Sequence, residues 1–70
     1  MPSDPITHYN LGVVLKEQGL IDEALHCYQQ AVRLKPDFAE AHGNLGAIFQ
    51  EQGKPSEAQA SYQRSLECNP

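Results

Sequence analysis

The strongest constraint on this chain is that nearly the same twelve residues occur twice. The segment HYNLGVVLKEQG begins at His8, and HGNLGAIFQEQG begins at His42; seven of the twelve positions are identical. Shifting the chain so that His8 falls on His42 extends the identity to 13 of 36 positions. A fixed period of roughly 20 to 50 residues is typical of stacked supersecondary units, so the sequence predicts two copies of one unit.

Each copy has the pattern of two helices joined by a short turn. Asp4 is a good N-cap with Pro5 at the first helical position, and Asp37 is expected to open the equivalent helix of the second copy. The second helix of the first copy is predicted from about Ile21 to Leu34, and its counterpart is predicted to begin at Pro55. No stretch alternates with a period of two, so no strands are expected. The residues predicted to end the four helices are Gly19, Pro36, Gly53 and Pro70.

Apolar and small residues recur with helical spacing in both predicted helices of the first copy. Those of the first helix are His8, Leu11, Gly12 and Leu15, and those expected to point inward from the second are Ala24, Tyr28, Ala31 and Val32. The smallest side chains are expected where paired helices approach closely, at Gly12, Ala24, Gly46 and Ala58. One such hairpin cannot bury its apolar face alone, so each copy needs its neighbour.

This pattern resembles the tetratricopeptide repeat, a helix–turn–helix of about 34 residues. In the first copy the matching residues are Leu11, Gly12, Leu15, Gly19, Ala24, Tyr28, Ala31 and Pro36. In the second they are Leu45, Gly46, Phe49, Gly53, Ala58, Tyr62, Ser65 and Pro70. His8 and His42 depart from the usual aromatic residue, and Ser65 replaces the usual Ala. The resemblance implies an all-α fragment of an α-solenoid, one domain over residues 1–70, with repeat 1 at about 5–38 and repeat 2 at about 39–70.

Size, charge and hydropathy narrow the possible partners. The chain has 70 residues and a net charge of −4, with acidic and basic residues mixed along it, which argues against nucleic acid or anionic lipid as the main partner. No apolar run approaches the roughly 20 residues that a membrane-spanning helix needs, and the N-terminus lacks the pattern of a signal peptide. Cys27 and Cys68 form no disulfide framework, which suits a reducing compartment. We therefore expect a soluble, cytoplasmic protein.

No residue pattern predicts catalysis, a cofactor or a metal. His8, His26, His42 and Cys27 do not show the i, i+4 spacing of a helical zinc site, so packing histidines and an ordinary thiol are the favoured interpretation. The acidic residues are scattered over predicted helix surfaces, and no nucleophile elbow or dinucleotide fingerprint is present. We expect that the protein is not an enzyme and uses no cofactor.

A second stripe follows the face of each first helix that the predicted core does not use. In tetratricopeptide arrays this face lines the concave surface, which typically binds an extended peptide. The resemblance therefore implies a peptide-binding set of Tyr9, Asn10, Val13, Lys16, Asn44, Ala47 and Gln50. Asn10 and Asn44 resemble the asparagine row of superhelices similar to those of O-linked N-acetylglucosamine transferases. An amide both donates and accepts hydrogen bonds, so this row can pair with a peptide backbone; the alternative is that Asn is merely a common repeat residue.

The sequence favours a protein–protein interaction module that binds a protein or extended peptide partner. One alternative is self-association, in which repeat ends stack end to end or exchange hairpins to form a homo-oligomer. The residues expected to be uncovered at those ends are Ile6, Tyr9, Val14, Phe49, Tyr62 and Leu66. Another alternative is a severed substrate-recruiting segment of a larger enzyme such as a glycosyltransferase. In each case the surface of the repeat, and not a reactive group, carries the function.

Overall fold

Four helices in chain order form the structure, a computed structural model that describes residues 4–68. They are α1 (Pro5–Glu17), α2 (Ile21–Leu34), α3 (Ala39–Glu51) and α4 (Pro55–Cys68). Helices α1 and α2 pair as one hairpin, α3 and α4 pair as a second, and α2 packs on α3 to join them. No strand occurs between residues 4 and 68. The predicted all-α hairpin array is confirmed; the expected helix stop at Pro70 lies outside the described residues.

The helix ends follow the local chemistry of the sequence with one exception. The Asp4 carboxylate accepts a hydrogen bond from the Ile6 backbone N–H at 2.9 Å, so it caps α1 as predicted. The prediction that Asp37 opens α3 is wrong: Phe38 takes the N-cap position and makes no side-chain cap. Phe38 is the repeat equivalent of Asp4, so the repeat register is kept while the capping chemistry is lost.

Gly19 and Gly53 close α1 and α3 in the same way. Their φ angles are +82° and +75°, the left-handed conformation that favours glycine. In the first copy the Leu20 N–H donates to the Leu15 carbonyl at 2.9 Å, and in the second the Lys54 N–H donates to the Phe49 carbonyl at 2.8 Å. In each case the N–H bonds to the carbonyl five residues earlier, which is the outer hydrogen bond of a Schellman motif. Each hairpin therefore turns at a fixed angle.

A tyrosine ring fills the closest approach within each hairpin. A Cβ atom added to Gly12 would lie 2.8 Å from Cε1 of Tyr28, and one added to Gly46 would lie 2.8 Å from Cδ1 of Tyr62. These distances are shorter than van der Waals contact. At each glycine an aromatic ring of the partner helix therefore occupies the space that a side chain would need. The sequence predicted close approach at these glycines, and the structure shows that the tyrosine occupies the space.

The central core lies between α2 and α3. Ala24 and Tyr28 of α2 and Ile48 of α3 are fully buried there, and Leu45 is nearly so. Burial of each large apolar side chain contributes about 1.5–3 kcal/mol, so this contact is the main source of cohesion between the repeats. A second cluster of Ala31, Phe38 and Ala41 lies beside the turn between the hairpins.

The first-helix pattern was only partly right about which residues face inward. Gly12 is buried and Leu15 is half-buried, but Leu11 is exposed. The reason is that α1 contacts α2 on one side only, whereas α3 is packed between α2 and α4. Two residues expected to be uncovered are not: Tyr9 is half-buried against α2 and the inter-repeat turn, and Phe49 packs against the central core. Of the others, Ile6, Val14, Tyr62 and Leu66 are exposed as predicted.

Candidate functional site

A shallow groove opens where α1, α2 and α3 meet. Its volume is about 430 Å³, and its lining residues are Tyr9, Val13, Lys16, Glu17, Tyr28 and Asn44. Spacings of three and four residues on α1 align the first four residues along one side of the groove. Tyr28 supplies the floor from α2, and Asn44 supplies the opposite wall from α3. The groove is thus formed only when the two hairpins stack.

Aromatic contacts hold the α1 side of the groove in place. The Tyr9 ring lies 5.0 Å from that of Phe38 and 5.7 Å from that of Tyr28, centroid to centroid, and both pairs are tilted. Such contacts are favourable for aromatic pairs beyond the area they bury. The expectation that the α1 stripe lies outside the core is therefore wrong for Tyr9 and Val13, both of which pack on the central core. A wall built from core residues makes the groove largely preformed.

A polar cluster lies on the apolar floor. The Asn44 side-chain N–H donates to the Tyr9 hydroxyl at 3.4 Å, which links α3 to α1. Burial raises the pKa of the Tyr28 phenol above its ordinary value, and hydrogen bonding with Asn44 acts in the opposite direction. The Tyr28 phenol therefore stays protonated near neutral pH. Since an amide carries two N–H donors and one carbonyl acceptor, the contact with Tyr9 uses only part of the hydrogen-bonding capacity of Asn44.

The rim of the groove carries one charge of each sign, from Lys16 and Glu17. The two opposite charges leave the rim without a net charge. Tyr28 was assigned to the core from the sequence and was missed as a lining residue. Its phenolic oxygen was the available signal, because a tyrosine that packs by its ring still needs a hydrogen-bond partner for its hydroxyl.

Three residues of the predicted peptide-binding set do not reach this groove: Asn10, Ala47 and Gln50. Asn10 is exposed on α1, and Gln50 lines a separate depression of about 230 Å³. That depression lies on the far side of the second hairpin and is lined by Gln50, Pro55, Ala58, Gln59 and Tyr62. The Tyr62 hydroxyl donates to the Gln50 side-chain oxygen there at 3.1 Å.

The histidines and cysteines have structural surroundings. His42 is buried and its Nε2 lies 2.9 Å from the Pro36 carbonyl oxygen, so it ties α3 to the turn between the hairpins. Burial, and secondarily the negative charge of Glu23, raise the pKa of the Cys27 thiol above its ordinary value, which lowers its thiolate fraction. Within residues 4–68 no three His, Cys, Asp or Glu side chains are grouped closely enough to hold a metal ion.

Stacked helical hairpins joined through one shared core, with a groove across the first helices, define an α-solenoid. The profile of the TPR repeat matches residues 14–53, and that of the tetratricopeptide repeat matches residues 39–70. The chain belongs to the tetratricopeptide repeat family, as the resemblance of its motifs predicted. It accordingly has the architecture of a protein-interaction scaffold.

Solved structures of MamA have the same fold. One shares 27% sequence identity over 94% of this chain with a TM-score of 0.90, and a mutant of MamA shares 25% over 99%, also with a TM-score of 0.90. A third, from MSR-1, shares 25% over 97% with a TM-score of 0.87. The chain covers 39%, 50% and 39% of those three chains, respectively. No curated protein matches the sequence. No helix within the described residues is long and apolar enough to cross a membrane.

Proposed function

We propose that this scaffold binds an extended segment of a partner protein in the groove between α1 and α3. The observation that carries the proposal is the Asn44 amide, which forms one wall of a groove whose floor is Tyr28 and whose other wall includes Tyr9 and Val13. A peptide backbone offers alternating N–H donors and carbonyl acceptors, and a single amide side chain can pair with both. The aromatic surface would take up apolar side chains of the ligand.

The charge of the groove narrows the ligand further. Lys16 and Glu17 are adjacent on the rim, so a highly acidic or highly basic segment would meet one repulsive charge. The preferred ligand is therefore a nearly neutral segment with at least one apolar or aromatic side chain. In this proposal the module performs no chemistry of its own. A role as the substrate-recruiting arm of a larger enzyme remains a hypothesis, and it would use the same groove.

To test this proposal, a peptide ligand is selected from a random library displayed on phage, and its affinity for the protein is measured by calorimetry. Asn44→Ala should weaken binding of the selected peptide roughly tenfold, equal to about 1.4 kcal/mol, because it removes the amide that pairs with the peptide backbone. Asn10→Ala is the matched variant: it makes the same change at the equivalent exposed position of α1 and should have little effect in the monomer. Gln29→Ala, on the exposed side of α2, controls for changes elsewhere.

The proposal fails if Asn44→Ala binds as tightly as the parent, or if the peptide shifts amide resonances on α4 and not on α1 and α3. Far-UV circular dichroism of each variant separates a loss of binding from a loss of folding. A peptide that binds Asn44→Ala and Asn10→Ala equally weakly would instead place its site on the row of both asparagines, which was the broader prediction from the sequence.

A further inference from the structure

The hydrogen bond between Asn44 and Tyr9 leaves a donor free on the α1 side of the groove. The Asn44 side-chain nitrogen donates to the Tyr9 hydroxyl oxygen at 3.4 Å. A phenol that accepts through its oxygen still carries one O–H donor, and no hydrogen bond among residues 4–68 uses the Tyr9 hydroxyl as the donor. Tyr9 therefore offers an O–H group to whatever occupies the groove.

The oxygen of the Asn44 amide is the matching acceptor on the α3 side. It accepts no hydrogen bond from residues 4–68. Within those residues the only buried side-chain nitrogen or oxygen without a partner is Gln52 Oε1, so the unpaired Asn44 oxygen is accessible. The free donor and the free acceptor thus come from different hairpins and lie beside the same amide nitrogen, close enough for one ligand residue to reach both.

The second tyrosine of the groove also engages the nitrogen of this amide. Burial raises the pKa of the Tyr28 phenol, and hydrogen bonding with Asn44 acts against that rise, which is the effect of an N–H donated to the phenol oxygen. Tyr28 is fully buried whereas Tyr9 is half-buried, so the accessible hydroxyl is that of Tyr9. The Asn44 nitrogen is therefore committed to the two tyrosines, and its oxygen is left for a ligand.

We propose that Tyr9 and Asn44 act as one recognition pair for the backbone of a single ligand residue, which we call the contacted residue. The Tyr9 O–H donates to the carbonyl of this residue, and the Asn44 oxygen accepts from its N–H. An extended residue directs its own N–H and C=O to the same side, as in the hydrogen-bonded pairs of an antiparallel sheet. The inference rests on the proposed groove function and assigns the ligand carbonyl to Tyr9.

This pairing defines the class of ligand that the groove accepts. The contacted residue must have a backbone N–H, so proline is excluded there. Its side chain is otherwise unrestricted by the pair, because side chains of an extended segment point out of the plane of the backbone hydrogen bonds. A C-terminal carboxylate could accept from Tyr9 but has no N–H for the Asn44 oxygen. The ligand is therefore an internal extended segment and not a chain terminus.

Removing one hydroxyl group tests the role of Tyr9. Tyr9→Phe deletes the O–H and retains the ring that packs on Phe38 and Tyr28. Calorimetry with the phage-selected peptide should show a loss of affinity of roughly three- to tenfold, the range for one net hydrogen bond. Tyr62→Phe is the matched control: it deletes a hydroxyl that bonds to Gln50 outside the groove and should leave the affinity unchanged.

Ester substitutions in the same peptide assign each backbone atom. Replacing an amide by an ester removes the N–H of the residue that follows and weakens the carbonyl of the residue that precedes. The parent protein should therefore be sensitive at two consecutive amides, one on each side of the contacted residue. Asn44→Ala should abolish the sensitivity at the first amide, which supplies the N–H, and Tyr9→Phe should abolish it at the second, which carries the carbonyl.

Each outcome separates this inference from the groove function. If Asn44→Ala weakens binding but Tyr9→Phe does not, the groove function stands and the recognition pair is wrong. If neither change weakens binding, the groove is not the site and both proposals fall. Sensitive amides that are not consecutive, a proline at the contacted residue, or the reverse assignment of the two amides would also overturn the pairing. The ester scan on the parent protein gives its result without any variant having to fold.

Discussion

At the scale of single residues, a missing side chain fixes the spacing of each hairpin. Gly46 lies inside α3, where glycine is unfavourable by up to about 1 kcal/mol relative to alanine. The ring of Tyr62 occupies the space that a Cβ would need. The same pair recurs as Gly12 and Tyr28. The local cost to the helix is therefore offset by the packing of a tyrosine from the partner helix.

Substituting Gly46 tests this explanation against a control in the same helix. Gly46→Ala should lower the free energy of unfolding by about 1–2 kcal/mol, because the overpacking penalty exceeds the gain in helix propensity. Gly43→Ala should be neutral or stabilising by up to about 1 kcal/mol, because among residues 4–68 the only atom within 4 Å of its added Cβ is the Ser65 hydroxyl oxygen, at 3.4 Å. Urea unfolding followed by circular dichroism measures both. Equal effects of the two changes would show that the ring does not constrain this position.

At the scale of elements, the helices begin by different means although the repeat is regular. A side-chain carboxylate caps α1, whereas α2 and α3 begin without a side-chain cap. Helix α2 has Asp22 and Glu23 in its first turn, where negative charge interacts favourably with the helix dipole. Helix α3 has Phe38 at its N-cap, and the Phe38 ring is buried against the neighbouring elements. Packing thus replaces capping where the hairpins join.

The two aspartates that the sequence offered as caps should respond differently to removal. Asp4→Ala should cost about 1 kcal/mol, since it removes the acceptor for the Ile6 N–H. Asp37→Ala should change stability by less than about 0.5 kcal/mol, because the residue is exposed and precedes the N-cap of α3. Hydrogen exchange at Ile6 and in the first turn of α3 localises each effect. A larger loss for Asp37→Ala would mean that its side chain holds the turn between the hairpins.

At the scale of the whole molecule, stability depends on one stacking contact. Two hairpins share a single core between α2 and α3, and repeat arrays usually need about three units to be stable. Each hairpin has extensive contact within itself, but the fully buried Tyr28 and Ile48 belong to the shared core. Loss of this contact would therefore separate the molecule into two hairpins that are unstable alone.

Equivalent substitutions in the two repeats measure that dependence directly. Ile48→Ala should cost about 2–5 kcal/mol, because it leaves a cavity in the core between the repeats. Val14→Ala, at the same repeat position, should cost less than about 0.5 kcal/mol in dilute solution because its side chain is exposed. Thermal unfolding at low concentration compares them. If the two changes had similar costs, the stacking contact would not be the source of cohesion.

The sequence alone determined the local structure of this protein. The repeat period, the glycines at the turns and the spacing of Ala24 and Tyr28 predicted four helices in two hairpins, and the structure confirms them. These features depend on contacts between residues close in the chain or at fixed repeat positions. They can be read from one copy and checked in the other.

Only the tertiary structure decided which equivalent residues are covered. Leu11 and Leu45 have the same identity and the same place in the repeat, yet one is exposed and the other is buried. The difference arises because burial depends on whether another hairpin is stacked on that side, which the periodic pattern does not record. For the same reason Tyr9 joined the core and Asn44 entered the groove while Asn10 remained exposed on α1.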